Sequence, residues 1–189
     1  MTSLLIAGSP TLPSRSTRLL HHIGEGLLQR GHRIERLNVR DLPAQALLHA
    51  DFSNVDIQVA RAQLAQADAV VIATPIYKAS FCGVLKAFLD LLPQDGLAGK
   101  VVLPLATGGS QSHMLALDYA LRPVLQALGA KQILASIYAT DSQVTWSPET
   151  GLAIDPAIAL RLAEGVSNLS HNLRQPSVAQ RCRPTSLVA

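Results

Sequence analysis

Apolar positions along this chain alternate between two spacings. Leu4-Leu5-Ile6 is a short continuous run, as a strand buried on both faces requires, and it predicts a strand over residues 3–8. Leu19, Leu20, Ile23, Leu27 and Leu28 then recur at helical spacing, predicting an amphipathic helix from about 15 to 30 that Arg30-Gly31-His32 ends. Ile34, Leu37 and Val39 mark a second, less buried strand. Asp41 to Phe52, with Pro43 inside it, reads as a connection, and Val55 to Ala67 as a helix. Ala69-Val70-Val71-Ile72-Ala73 has the β-branched continuity of a central parallel strand. Phe81 to Leu92 is amphipathic. Val101 to Ala106 reads as a fourth strand even though Pro104 has no N–H for a ladder. Ser112 to Leu128 follows as one long helix closed by Gly129, with Met114, Leu117, Leu121, Val124, Leu125 and Leu128 facing the core. Ile133 to Ala139 is the fifth strand and Pro156 to Leu173 the last helix.

Strict strand–helix alternation implies an α/β doubly wound parallel sheet. Five strands fit the flavodoxin-like order 2-1-3-4-5, in which ligands bind beyond the C-terminal ends of the strands. That topology brings three loops to one edge. After strand one comes Gly8-Ser9-Pro10-Thr11-Leu12-Pro13-Ser14-Arg15-Ser16-Thr17, at the start of a helix. Free N–H groups and the helix dipole attract an anion there, hydroxyls add donors, and Arg15 adds a charge-assisted pair. A bare N-cap would explain one of these serines, not the cluster with its arginine, so the ligand predicted is a phosphate monoester. Neither G-x-x-x-x-G-K-[ST] nor a G-x-G-x-x-G after the first strand is present. After strand three stands Thr74-Pro75-Ile76-Tyr77, and after strand four Thr107-Gly108-Gly109. The two glycines permit close backbone approach to a flat ligand, and Pro75 and Ile76 offer an apolar face. Phosphate, polar chain and planar heterocycle together describe FMN.

Composition narrows the alternatives. The 189 residues suit one domain, with 48% hydrophobic residues for its core. The net charge of +3 comes from Arg174, Arg181 and Arg183, since the remaining 13 Lys+Arg balance 13 Asp+Glu. A neutral body argues against a broad nucleic-acid surface. Residues 1–173 are expected to fold and 174–189, with Pro176 and Pro184, to form a mobile tail. No apolar run reaches membrane-span length and no signal peptide is legible. Cys82 and Cys182 have no metal-ligand or disulfide spacing, which fits a cytoplasmic protein, and the six histidines form no ligand motif, so no metal is expected.

The blocks Gly8-Ser9-Pro10…Pro13-Ser14-Arg15-Ser16, Ala73-Thr74-Pro75-Ile76-Tyr77-Lys78, Leu85-Lys86-Ala87-Phe88-Leu89-Asp90-Leu91-Leu92-Pro93, Leu103-Pro104-Leu105-Ala106-Thr107-Gly108-Gly109 and Asp118-Tyr119-Ala120-Leu121-Arg122-Pro123 resemble the NAD(P)H-dependent FMN reductases. The resemblance covers most of residues 3–143. It is strongest to the reductases that supply FMNH2 to two-component alkanesulfonate monooxygenases in sulfur assimilation. It implies that Ser9, Ser14, Arg15 and Ser16 hold the FMN phosphate, that Thr74, Pro75, Ile76 and Tyr77 border the ribityl chain and ring, and that Thr107, Gly108 and Gly109 contact the isoalloxazine. His113 is a further candidate at the site. Thr11 stands where similar sequences carry a basic residue, which implies a looser phosphate grip.

The reaction implied is hydride transfer from nicotinamide to flavin, in which the protein positions two rings and no catalytic acid or base is assigned. No Trp or Tyr pair flanks the loops to sandwich a flavin, which favours a diffusible FMN released to a partner monooxygenase. Two other readings stay open at this stage: a quinone or azo reductase that retains FMN, and a flavodoxin-like electron carrier. Pro123 removes the N–H that Tyr119 would bond, so the ladder is disturbed there. A kink or a π-bulge relieves it, and the resemblance implies the π-helix, with Tyr119 at a subunit interface of a homodimer or homotetramer.

Overall fold

A computed structural model describes residues 1–174 of the chain. Its sheet alternates with helices as the spacing predicts. The strands are β1 (Thr2–Ala7), β2 (Arg33–Asn38), β3 (Ala69–Tyr77), β4 (Ser80–Phe81), β5 (Val101–Gly108), β6 (Gln132–Ile133) and β7 (Ile137–Thr140), followed by a separate hairpin of β8 (Val144–Ser147) and β9 (Gly151–Ile154). The helices are α1 (Arg15–Leu28), α2 (Ala44–Leu48), α3 (Val55–Gln66), α4 (Gly83–Leu89), α5 (Arg122–Ala127) and α6 (Pro156–Arg174). The parallel order is β2-β1-β3-β5, with β6 and β7 both beside β5. This is the flavodoxin-like order with its fifth strand in two pieces.

Period-two alternation divides the core between the sheet's two faces. Leu4, Ile6, Val70, Ile72, Val102 and Ala106 pack on one side with α3, α4 and α5. Leu5, Ala7, Val71, Ala73, Leu103 and Leu105 pack on the other with α1 and α6. β1, β3 and β5 are buried on both faces, which is why these runs are continuous rather than alternating in hydropathy.

Four expectations need correction. The fifth strand, expected unbroken over 133–139, is interrupted at Leu134–Ser136. Pro104 explains this. Val102 accepts from Leu134 N–H across the β5–β6 edge at 2.8 Å, so alternate residues 102, 104 and 106 turn their peptide groups to that edge. Pro104 has no N–H to give, the ladder lapses, and pairing resumes one residue out of step at Leu105–Ile137.

The helix expected over 112–128 is instead a 3-10 turn at Gln111–His113, a π-helix at Leu117–Leu121, and then α5. Arg122 N–H donates to Leu117 O, an i→i−5 bond, just before Pro123 would break an α-ladder. Met114 leaves the core stripe and is exposed, whereas Leu117, Leu121, Leu125 and Leu128 stay buried. The expected connection 41–52 contains α2, and the hairpins β3–β4 and β8–β9 were not expected at all. The last helix extends through Arg174, one residue into the proposed tail; residues 175–189 lie outside the described residues. Among the described residues no helix is long and apolar enough to cross a membrane.

Candidate functional site

β1, β3 and β5 end together at one sheet edge because their registers are level: Ala7 lies opposite Ala73, and Ala73 opposite Leu105. The loops that leave them form one cavity of about 140 Å³. It is lined by Ser9, Thr11, Pro13, Ser14 and Arg15 from the first loop, Pro75, Ile76 and Tyr77 from the second, and Thr107, Gly108, Gly109 and Asp141 from the β5 and β7 ends. Nine of the twelve residues expected at the flavin therefore meet in one place.

The first loop is tied down before any ligand arrives. Gly8 N–H donates to Ala73 O at 2.7 Å, and a Cβ on Gly8 would stand 2.8 Å from that of Leu85, so the chain passes here only without a side chain. Ser14 caps α1, accepting from Thr17 N–H at 3.3 Å. The buried Ser16 hydroxyl lies 3.0 Å from Ser14 Oγ. When Ser16 donates in that pair, the Ser14 proton is free to turn into the cavity. Ser16 does not line the cavity; it orients Ser14.

Arg15 is fixed from the opposite side. Its Nε donates to Val144 O at 3.1 Å, and its Nη1 lies 3.7 Å from Asp141 Oδ1. Among the described residues that line the cavity, Arg15 is the one cation and Asp141 the one anion. A phosphate here therefore meets hydroxyls, helix N–H groups and a guanidinium already shared with a carboxylate.

Thr74 is not a cavity residue. Its fully buried hydroxyl accepts from Cys82 N–H at 3.0 Å and lies 3.0 Å from Pro75 O, which pins the β3–β4 hairpin that presents Ile76 and Tyr77. That hairpin turns at Lys78 and Ala79, with φ of 50° and 61°, a left-handed conformation that costs energy in residues other than glycine.

The two glycines at the end of β5, Gly108 in its last position and Gly109 just beyond, have separate tasks. A Cβ on Gly108 would stand 2.5 Å from the Tyr138 hydroxyl, so this glycine lets Tyr138 pass beneath the loop. Tyr138 donates to Ser110 O at 2.6 Å, and burial, then the nearby Asp141, raises its pKa. A Cβ on Gly109 would meet nothing within 4 Å; this glycine faces open space at the cavity mouth. His113 lies in the 3-10 turn and Tyr119 on the π-helix, where Tyr119 is 79% exposed; neither lines the cavity. Asp118 and Arg122 make the expected i,i+4 pair at 3.2 Å.

Sequence reasoning missed Asp141, Tyr138 and the β8–β9 hairpin. Their signal was weak: alternation of Val144 and Trp146, with a Pro148–Gly151 turn segment. The hairpin nonetheless supplies Val144 O to Arg15 and stacks Trp146 under Arg18, whose guanidinium carbon lies 3.7 Å from the ring centroid.

Buried hydroxyls at a helix start, an apolar hairpin edge and an open glycine shelf fit FMN's phosphate, ribityl chain and ring in that order. The family model for NADPH-dependent FMN reductase matches residues 1–145. The chain belongs to this family. It is 46% identical over 186 residues to an FMN reductase (NADPH) of Pseudomonas putida, covering 98% of this chain and 92% of that protein. It is 48% identical over 144 residues to an FMN reductase (NADPH) of Escherichia coli K12, covering 76% of this chain and 75% of that one. Among solved structures, the apo form of the NADH:FMN oxidoreductase EmoB superposes with a TM-score of 0.85 at 38% identity, covering 100% of this chain and 99% of that one. Membership makes this protein an oxidoreductase that uses NAD(P)H and FMN.

Proposed function

We propose that this reductase treats FMN as a diffusible substrate and hands FMNH2 to a partner monooxygenase. The observation that carries this reading is the Arg15–Asp141 pair at 3.7 Å. Neutralised in this way, the cavity offers a phosphate dianion no net positive charge from its side chains. The cavity volume of about 140 Å³ is also below the ~300 Å³ at which ligand pockets begin to enclose their occupant. The open space beside Gly109 would leave one face of a bound flavin ring available to nicotinamide. Micromolar affinity, roughly −8 kcal/mol, suits such a loan.

Bound FMN supplies the redox chemistry: NAD(P)H + H⁺ + FMN gives NAD(P)⁺ + FMNH2, with the hydride going to the flavin. Ser9, Ser14 and Arg15 bind the phosphate, and Ser16 orients Ser14. Ile76 and Tyr77 set the ring's edge, and Gly109 leaves room for it. Thr74 acts one step back, by fixing the hairpin. No side chain has to move a proton between the two rings.

The sulfonate-oxidising partner rests on the resemblance of the sequence blocks, and a cytoplasmic setting goes with it. Tyr119 supports a homodimer or dimer of dimers: a large amphipathic side chain held out on a π-helix is an interface anchor. The test is a coupled assay in which the purified reductase, NADPH and catalytic FMN drive desulfonation by an FMNH2-dependent monooxygenase. Tightly held flavin with quinone or azo-dye turnover that ignores added FMN would assign the retained-cofactor activity instead.

A further inference from the structure

A second groove lies on the other side of the phosphate loop. It has a volume of about 370 Å³ and is lined by Leu12, Pro13, Ser14, Thr17, Arg18 and His21. Pro13 and Ser14 line the FMN cavity too, so the two spaces share one wall. Leu12, 67% exposed, and Pro13 give the groove an apolar side. Arg18 and His21, three apart on α1, give it a basic one.

The basic side is organised and unspent. The Arg18 guanidinium carbon lies 3.7 Å from the centroid of the Trp146 ring, a contact that holds the group without neutralising it. Arg36, from β2, acts on the His21 ring. Burial of that ring, then Arg36, lowers its pKa; Arg18 does the same, and Glu25 alone opposes them. Among the described residues, neither Arg18 nor Arg36 makes a salt bridge. Two guanidinium groups without a salt bridge thus act on the His21 ring against one carboxylate, next to a site whose own arginine is paired.

FMN has one phosphate, and the first loop takes it. The co-substrate has charge left to place. NADPH differs from NADH by a phosphate monoester on the adenosine ribose, with an adenine ring beside it. We infer that this groove receives the adenosine 2′-phosphate end of NADPH, with Arg18 and His21 as the residues that select NADPH over NADH. Arg36 adds supporting charge, and Leu12 and Pro13 offer the adenine a face. Because the two spaces share Pro13 and Ser14, the groove adjoins the proposed flavin site. This inference rests on the reading of the first cavity as the flavin site.

The test uses the full chain freed of flavin, with 2′,5′-ADP as the probe and 5′-AMP as its control, in calorimetric titrations. The wild type binds 2′,5′-ADP more tightly than 5′-AMP, and the preference grows only as pH falls below the ordinary histidine range, because burial and then Arg36 lower the pH at which His21 takes up its proton. Arg18→Gln removes the charge that lies over Trp146. It weakens 2′,5′-ADP by at least about tenfold, as for a lost charge-assisted bond, and lowers the NADPH/NADH ratio of kcat/KM to match. His21→Gln abolishes the pH dependence of the preference. Equal binding of the two nucleotides by the wild type, or an Arg18→Gln loss shared equally by NADPH and NADH, overturns the inference. FMN titration of the same protein separates the two readings. Selective 2′,5′-ADP binding without FMN binding would retire the flavin assignment and leave the nucleotide groove standing.

Discussion

Asp141→Asn should tighten FMN binding. In the wild type the Asp141 carboxylate does two things at once. It holds Arg15 at 3.7 Å, and it places a negative charge at the rim of the proposed phosphate site. The two side chains are 50% and 46% exposed, so solvent screens both effects heavily. Releasing an exposed pair and removing a screened repulsion together contribute about 1 kcal/mol, which is roughly fivefold in affinity. Riboflavin has the same ring and ribityl chain but no phosphate, and its affinity should hardly move. Arg15→Ala is the mirror case. It removes a charged hydrogen bond and should weaken FMN by about 1.5–3 kcal/mol, again sparing riboflavin. Both changes should shrink as salt is raised, since the screening length falls to ~8 Å at physiological ionic strength. Quenching of flavin fluorescence gives all four affinities in one titration format. If FMN and riboflavin shift together in either variant, or if Asp141→Asn loosens FMN, then the phosphate does not lie beside Arg15 and the charge argument fails.

Three further outcomes can be checked independently. Gly109→Val places a side chain in open space, so thermal stability should change by less than about 0.5 kcal/mol while FMN affinity falls; unchanged flavin affinity would remove Gly109 from the ring's shelf. Tyr119→Ala should shift assembly towards a smaller species in light scattering and lower turnover with free FMN; unchanged mass and kinetics would leave Tyr119 as an idle surface residue. His32 is buried with Nε2 2.8 Å from Ser170 Oγ, and burial, then the chain's N-terminus, lowers its pKa. The unfolded chain therefore takes up a proton near pH 6.5 that the folded protein refuses, and stability falls as pH drops below about 6.5. Urea midpoints at neutral and mildly acidic pH should show this loss, and His32→Gln should reduce it; an equal slope in both proteins would place the effect elsewhere.

The sheet was legible because its central strands β1, β3 and β5 are buried on both faces, and continuous β-branched runs such as Ala69–Ala73 have no competing reading. That the loop after β1 would help wall a cavity was legible, because hydroxyls and an arginine between a strand and a helix have few other uses. Individual roles were less legible. Thr74, Gly108 and Ser16 sit in the right blocks yet serve the protein's own packing, which depends on Cys82 N–H, the Tyr138 hydroxyl and Ser14, partners far apart or unremarkable in sequence. Pro104 was noticed as a difficulty for its own strand, but its cost falls on the neighbouring strand, where β6 gives way to β7. Pro123 marked the disturbed helix correctly, while the extent of the π-helix, Leu117–Leu121, was not readable from spacing. The β8–β9 hairpin lacks a legible core-facing period because Val144 alone of its residues is fully buried in the core, Leu152 and Ile154 are only partly covered, and Trp146 packs on Arg18 of α1 instead.

The central claim is that FMN is borrowed rather than kept, and the flavin content of the purified protein under turnover tests it most directly. The protein should be isolated nearly colourless, and its NADPH oxidation should rise from close to zero and saturate as FMN is added, with a half-saturating concentration of micromolar order. A yellow protein with one FMN per chain, oxidising NADPH at a rate indifferent to added FMN, would contradict it.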